Sequence, residues 1–259
     1  MIVDRVRSMT AQDLETGEML FRLTQLEEPS INTAAEGEEV VDAVGSLITT
    51  VYRAKTATFS ASNSLLSLDL AAAQYGTKKE VATSDTKILV PTYEILEFGD
   101  SDAAGKNLAH TPAAAEEVLF VYEMLQGGIG KSFKAGSQAS STEFQINEGK
   151  LVPPTGFKGK LFIEYTYESD SAVALKNRSS KFPTAFSAVI YVYFRDVCTD
   201  KLISGKIICP KAKINPESIE LGMTATGKHP FEMKMMRDYC SDDTADELFS
   251  IVVSNDDEE

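Results

Sequence analysis

The chain of 259 residues contains no tryptophan, two histidines and three cysteines. Cys198, Cys209 and Cys240 are odd in number and irregularly spaced, which is not the pattern of a disulfide framework. No CxxC pair occurs, and His110 and His229 lie far apart in sequence, so no metal site is predicted. We expect buried or partly buried thiols, with a disulfide between neighbouring subunits as the open alternative.

Long apolar runs are also absent. No run approaches the length of about 18 residues that a transmembrane helix needs, so no membrane partner is expected. The first residues, Met1 to Arg7, mix charges and lack the apolar stretch of a signal peptide. We therefore expect the protein to be made and kept in a cytoplasm.

The net charge of −14 is concentrated near the two ends of the chain. Residues 13–42 hold nine acidic residues and one basic residue, and residues 238–259 hold nine acidic residues and none that are basic. The remaining chain, with 21 acidic and 24 basic residues, is close to neutral. The simplest interpretation is two solvated, solubilising segments. A conventional nucleic-acid reader is disfavoured, because it needs clustered lysine and arginine.

Short runs of β-branched and aromatic residues, separated by glycine and proline turns, predict a mainly β fold of the sandwich or barrel type. Pro91 predicts an edge strand or a bulge. Gly127-Gly128 indicates a hairpin or loop directly after the strand that begins at Val118. The predicted strands cover residues 47–59, 87–96, 118–125, 159–167, 186–194, 202–210, 231–236 and 248–253.

One short α-helix is predicted over residues 64–75, and Gly76 can close it in a left-handed conformation. Three residues could cap its N-terminus: Ser62, Asn63 and Ser64. Three apolar residues would share one face: Leu65, Leu68 and Ala72.

The predicted domain organisation has an N-terminal arm, residues 1–46, and a β-sandwich domain, residues 47–259. Within the arm, Met19–Leu23 can form a short strand or an apolar anchor, and Pro29 predicts a break. Residues 97–158 are interpreted as an insertion or an elaborated surface loop. Residues 238–259 form an acidic C-terminal tail.

Gly127-Gly128-Ile129-Gly130-Lys131-Ser132 comes close to a phosphate-binding loop, which would show a strand, then GxxxxGK[ST], then a helix. The first glycine position of that motif is occupied by Leu125. Residues 133–138 are poor helix formers, so no helix N-terminus is available to hold a phosphate. We therefore expect a flexible glycine loop, with a nucleotide-dependent enzyme as the least favoured hypothesis.

No other chemical motif is convincing, so no catalytic, cofactor-binding or metal-binding residue is predicted and the protein is not expected to be an enzyme. His229, just before a strand, has no identifiable nucleophile or paired acid and is interpreted as a loop or interface residue. The carboxylate runs at 36–39, 242–243 and 256–259 lack the spacing of a calcium-binding loop. They are interpreted as surface charge.

The C-terminal half has a recognisable succession of strands and turns. It runs through Phe182-Pro183-Thr184, Tyr191–Phe194, Asp196–Asp200, Ile208–Ile214, Ser218–Leu221, Phe231–Met233 and Leu248–Ile251. This succession resembles the C-terminal half of major tail tube proteins from long-tailed phages. The strand, helix and strand over residues 47–96 are also similar to that family, whereas residues 97–158 have no counterpart in its smallest members.

The resemblance implies a β-sandwich protein that forms hexameric rings, stacked through arms and loops into a tube in the virion tail. Its partners would be copies of itself, other tail proteins and, in passing, the DNA that moves through the channel. The acidic segments could line that channel or pair with basic residues of an adjacent ring. The alternative is another virion component, namely a capsid-decorating, neck or baseplate protein.

Overall fold

The structure, a computed structural model, describes residues 1–114, 118–216, 219–222, 224, 227–240 and 246–254, with only the backbone of Arg53. This part of the chain is mainly β, as predicted, with 17 strands and one helix. The chain divides into two compact units: unit 1 is Met1–Lys79 with Leu175–Glu259, and unit 2 is Glu80–Ala174. The predicted insertion, residues 97–158, lies inside unit 2.

The elements are named in chain order. They are β1 (Ile2–Asp13), β2 (Met19–Leu23), β3 (Leu26–Val41), β4 (Leu47–Asn63), α1 (Leu68–Tyr75), β5 (Glu80–Val81), β6 (Ile88–Phe98), β7 (Lys106–Asn107), β8 (Phe120–Leu125), β9 (Gly128–Ala135), β10 (Glu143–Asn147), β11 (Lys150–Val152), β12 (Gly159–Ser169), β13 (Val173–Ala174), β14 (Ala185–Arg195), β15 (Leu202–Ile214), β16 (His229–Met235) and β17 (Ser250–Ser254).

Unit 1 is built on an eight-stranded sheet with the order β2-β1-β14-β15-β16-β4-β3. The eighth strand, β17, pairs with the first half of β15. The described strand pairings of this sheet are all antiparallel, so adjacent strands can be joined by short turns.

The core of unit 1 follows from alternation along the strands. In β14 every second residue is buried, from Phe186 through Ile190 to Phe194, because successive side chains of a strand point to opposite faces. Phe186 packs edge-on against Phe21 of β2, with ring centroids 5.8 Å apart. Both side chains are nearly inaccessible to solvent, so this pair links the first and second halves of the chain.

Residues 1–46 were expected to form an arm, but most of them belong to the main sheet. β1 pairs with β14 along nearly its whole length, and β2 pairs with the second half of β1. The predicted break at Pro29 is a bulge within β3, where Glu28 has a positive φ of 51°. The arm prediction failed because a partner 180 residues away in sequence determines whether such a segment joins a sheet.

Helix α1 begins later than predicted, at Leu68, and is capped by Ser67, whose hydroxyl accepts the Leu70 N–H at 3.2 Å. The predicted cap Ser64 instead donates its hydroxyl to the carboxylate of Glu27 at 2.6 Å. The observed cap, Ser67, was not among the predicted cap residues, and the side chain of Ser64 makes a tertiary contact instead.

The buried face of α1 also differs from the prediction. Of the three residues predicted to share the buried face, Ala72 is buried, but Leu65 and Leu68 are exposed. The other buried residues of α1 are Leu70, Ala71 and Gln74. The predicted end of the helix is confirmed, since Gly76 is left-handed, with φ of 63°, and its N–H bonds to the carbonyls at the end of α1.

Replacing Gly76 by alanine is expected to destabilise unit 1 more than the same change at Gly17. Both glycines are left-handed, which costs another residue about 1 kcal/mol or more. A Cβ at Gly76 would also lie 2.0 Å from the carbonyl oxygen of Phe182, whereas a Cβ at Gly17 would meet nothing within 4 Å. Urea unfolding of the two variants separates backbone strain from the clash, and equal losses would contradict this account.

Unit 2 has a seven-stranded sheet with the order β6-β12-β8-β9-β10-β11-β7 and a separate core. β12 alternates like β14, burying Leu161, Ile163 and Tyr165 on one face. Pro91 lies in β6, the edge strand of this sheet, as its inability to donate a ladder hydrogen bond predicted. The short pair of β5 with β13 brings the two ends of unit 2 together.

Candidate assembly surfaces

Strands β3 and β4 continue well beyond the core of unit 1 as a two-stranded extension. Residues 33–56, which we name the distal hairpin, remain paired in antiparallel register from Thr33–Ala57 out to Val41–Leu47. Apolar side chains on this hairpin are open to solvent, including Val44 at 87%, Ile48 at 64% and Tyr52 at 70% exposure. An isolated two-stranded hairpin is at best marginally stable in water, so its apolar surface is typical of a contact site.

The distal hairpin carries four of the nine acidic residues of the first charged segment. Glu36, Glu38 and Glu39 lie on β3, and Asp42 begins the turn, where its carboxylate accepts the Ser46 N–H at 2.7 Å. Along its outer edge, β3 pairs with no other strand in the described residues. The hairpin therefore combines a free strand edge, apolar side chains and negative charge.

A second free edge lies at the start of the chain. Among the described strands, β2 pairs with β1 only from Met9 to Gln12. Along the segment Ile2–Arg7, which we name the N-terminal edge, the described strand partner of β1 is β14. Ile2 and Val3 are exposed there. A row of backbone donors and acceptors without a strand partner is a template for another chain.

The N-terminal edge is basic. Arg5 and Arg7 flank the ring of Tyr193, with guanidinium carbons 5.3 and 5.8 Å from its centroid, and Arg7 also donates to the Tyr193 hydroxyl at 3.1 Å. Asp4 accepts hydrogen bonds from Arg195 at 2.9 and 3.1 Å. Sequence reasoning missed this cluster, because Tyr193 is about 190 residues from the arginines and only strand pairing brings them together.

β17 offers a further edge, since it pairs only with β15 among the described strands. Ile251, Val252 and Val253 on it are exposed. The chain continues from β17 into Asp256–Glu259, four consecutive acidic residues that lie outside the described residues.

The glycine motif Gly127–Ser132 lies in the turn after β8 and in the first part of β9, with Gly127 at φ of 106°. A strand follows the motif where a phosphate-binding loop would need a helix. The Lys131 N–H, which such a loop would offer to phosphate, donates to the carboxylate of Glu123 at 3.3 Å. The helix that a nucleotide-binding loop would need is therefore missing at this position. The predicted hairpin after the Val118 strand is confirmed.

His229 is buried and links β16 to α1. Its Nδ1 accepts the Ser67 N–H at 3.4 Å, so its Nε2, 2.7 Å from the Gln74 Oε1, carries the proton. Gln74 in turn donates to the carbonyl of Pro230 at 3.2 Å. Both ring nitrogens serve this internal network, which places His229 in the interior and not in the loop or interface that was expected.

Protein stability is expected to fall as the pH drops below about 6.5, in part because of His229. Burial lowers the pKa of its imidazole, so the unfolded chain binds a proton that the folded chain resists. Above the pKa that His229 has in the unfolded chain, this residue does not change the free energy of unfolding with pH. Below that pKa the free energy of unfolding falls, by up to about 1.4 kcal/mol per pH unit. Urea unfolding at several pH values between 5 and 8 gives the free energy of unfolding as a function of pH. This free energy should vary less with pH in His229→Gln than in the natural chain, and an equal variation would contradict the role of His229.

The remaining chemical candidates lie apart. Cys209 is buried, which raises its thiol pKa to about 12, while Cys198 and Cys240 are exposed. His110 stacks on Tyr167 in unit 2, at 3.8 Å between centroids.

In the described part of the chain, no three His, Cys, Asp or Glu residues are grouped to hold a metal ion. The runs at 242–243 and 256–259 lie outside the described residues. No helix of the described chain has the length and apolarity to span a bilayer.

Strand edges that pair with no other described strand, together with an exposed apolar hairpin, are typical of structural proteins that assemble. A family model described as the YomU/Tube protein family matches residues 1–248, and no curated protein matches the chain. The chain belongs to the YomU/Tube protein family, which confirms the resemblance to phage tail tube proteins. Such proteins are structural components of the virion tail that assemble with themselves and other tail proteins, and they are generally not enzymes.

Proposed function

We propose that the chain assembles with copies of itself into stacked, hexameric rings that enclose the channel through which phage DNA is ejected. The observation that carries this proposal is the pair of free edges on one sheet: the outer edge of β3 and the N-terminal edge of β1. When the edge of one copy pairs with a different edge of the next, the contact is heterologous, and it generates a ring where the rotation between copies closes.

Charge favours pairing of the distal hairpin with the N-terminal edge. The hairpin presents Glu36 and Glu39, and the N-terminal edge presents Arg5 and Arg7. The edge of β17 is a poorer partner for the hairpin, because it leads into the four acidic residues 256–259. Complementary charges at a strand interface fix its register and suppress wrong pairings.

Assembly would also bury the apolar hairpin side chains that the isolated chain exposes. Val44, Ile48 and Tyr52 project from a ribbon with solvent on both faces. A neighbouring copy that covers them removes apolar surface from water at about 25 cal/mol per Å². Carboxylates left facing the channel would keep the DNA phosphates from binding to its wall.

In this proposal the protein performs no catalysis and needs no cofactor or metal. It folds in the host cytoplasm without membrane attachment, and a tip complex of other tail proteins starts its polymerisation. The DNA contacts it only in passing and without sequence preference.

Negative-stain microscopy of the purified chain, alone and with the tail tip complex, tests the proposal. Sixfold rings or stacked tubes are the expected result. Threefold particles, or a monomer that binds only another virion lattice, would instead indicate the capsid-decorating, neck or baseplate role. A compact monomer in every condition would contradict self-assembly.

Reversing charge on one side of the proposed contact is expected to prevent tube formation, and reversing both sides should restore it. The first variant carries Glu36→Lys with Glu39→Lys, and the second adds Arg5→Glu with Arg7→Glu. Like charges facing one another in a tight interface repel, whereas the double reversal recreates opposite pairs.

The yield of sedimenting tubes measures the effect of these reversals. As a control, Glu97→Lys with Glu164→Lys makes the same charge change on the exposed residues of unit 2 and should leave the yield unchanged. Failure of the double reversal to restore assembly would point to a different partner for the hairpin.

A further inference from the structure

Unit 2 contains an open cleft of about 660 Å³, within the range of about 300–1,000 Å³ that is usual for small-molecule sites. It lies beside the β8–β9 hairpin, and Gly130, Lys131 and Ser132 of the glycine motif form part of its lining. The proposed tube assembly gives this motif no role. We propose that this cleft binds an uncharged saccharide. The proposal stands on the cleft alone and does not depend on self-assembly.

The walls of the cleft are held in place by backbone hydrogen bonds. The Thr155 N–H donates to the Ser140 carbonyl at 2.8 Å, which joins the two loops opposite the hairpin. The Phe157 N–H donates to the Pro154 carbonyl at 2.9 Å and closes a tight turn. A site that is already formed loses little conformational entropy when a ligand binds.

The charges in the cleft disfavour an anion. Glu123 lines it, and its carboxylate accepts the Lys131 N–H at 3.3 Å. A phosphate at that amide would compete with the carboxylate and be repelled by it. One lysine and one glutamate leave the lining close to neutral, so an uncharged ligand is favoured over a nucleotide or an acidic sugar.

The polar groups of the lining match the chemistry of a sugar. Lys131 can only donate hydrogen bonds, the Glu123 carboxylate can only accept them, and serine and threonine hydroxyls do both. Ser132, Ser141 and Thr142 line the cleft and supply such hydroxyls. Sugar hydroxyls are also both donors and acceptors, so they can satisfy all three kinds of group.

An aromatic ring completes the site. Phe157 lines the cleft and is partly buried, with its ring edge-to-face against Phe133 at 5.5 Å. That contact fixes the ring position without covering it completely. Sugars present one face of C–H groups, which packs favourably on an aromatic surface and leaves the ring hydroxyls for polar partners.

Glycan-array screening of the full chain, followed by calorimetry, tests the proposal. The array holds uncharged hexose and N-acetylhexosamine oligosaccharides beside uronic-acid and phosphate-bearing ones. The strongest uncharged oligosaccharide and Mg-ATP are then titrated separately. Binding of the uncharged sugar, without Mg-ATP binding, is the expected result.

Two variants should weaken sugar binding by about tenfold or more, as expected when one charged hydrogen bond or one aromatic contact is lost. They are Glu123→Gln, which keeps the shape and an acceptor for the Lys131 N–H, and Phe157→Ala. The matched controls, Glu164→Gln and Phe162→Ala, change residues that do not line the cleft and should bind as the natural chain does. Thermal unfolding of each variant checks that it is folded.

Three results would overturn the proposal: no uncharged oligosaccharide binds, Mg-ATP binds instead, or the cleft variants bind as well as the controls. None of these results bears on ring formation, which microscopy measures in the same preparations. Failure of the saccharide site and failure of self-assembly are therefore distinguishable.

Discussion

Replacing Ile48, Val51 and Tyr52 together by serine is expected to abolish tube formation while leaving the subunit folded. All three side chains are exposed in the distal hairpin, so their loss removes nothing from the core of unit 1. In the assembled tube they would be buried against a neighbour, where each large apolar side chain contributes roughly 1.5–3 kcal/mol. Losing three of them would weaken each contact by roughly 4.5–9 kcal/mol, which is a loss of at least about a thousandfold in affinity.

Sedimentation and negative-stain microscopy measure the loss of tubes, and urea unfolding checks the subunit. The control replaces Leu89 and Tyr93 of unit 2, which are exposed to a similar extent at 60% and 66%, by serine. That control should form tubes at the normal yield. Normal assembly of the hairpin variant would show that the hairpin is not a subunit contact.

Each unit is expected to lose stability separately when its own core is opened. Phe186→Ala in unit 1 and Phe144→Ala in unit 2 each remove a side chain that is at most 1% exposed. Truncating a buried phenylalanine to alanine usually costs about 3–5 kcal/mol, from lost transfer energy and the cavity left behind. The two residues belong to separate core clusters, so each change should lower the unfolding transition of one unit.

Calorimetry and hydrogen exchange can assign each transition to a unit. Phe182→Ala, at an exposed phenylalanine of unit 1, should change stability by less than about 0.5 kcal/mol. One cooperative transition, shifted equally by both core variants, would contradict the independence of the two cores.

The fold class could be predicted because it depends on local patterns. The alternation in β12 and β14, the glycine turn at Gly127 and the edge position of Pro91 all follow from the geometry of a single strand or turn. The resemblance to tail tube proteins rested on the order of such strands. The family match confirms it.

Features that depend on distant partners could not be predicted in the same way. Ser64 was one of three predicted caps, yet Ser67 caps the helix, while Ser64 bonds to the Glu27 carboxylate 37 residues away in sequence. Leu65 and Leu68 have the helical spacing of a buried face, yet unit 1 packs the face that contains Leu70. Helix period alone does not say which side meets the core.

The candidate surfaces show the same division. The acidic segment at residues 13–42 was visible in sequence as charge, and its interpretation as a solvated arm was natural. Only the structure showed that part of it is the outer strand of a paired hairpin with exposed apolar side chains. Strand pairing likewise turned Arg5, Arg7 and Tyr193 into one basic edge.

The sequence by itself determined a mainly β chain with charge gathered near its ends, the position of several of its strands, and a resemblance to tail tube proteins. These properties follow from composition and from the alternation of apolar and polar residues along a strand, which can be seen in a short stretch of sequence. The tertiary structure alone decided which strand edges remain free, how far the hairpin extends beyond the core, and that the near-miss glycine loop borders a cleft. Those properties depend on contacts between residues far apart in the chain, where many pairings fit the same local pattern and only packing selects one.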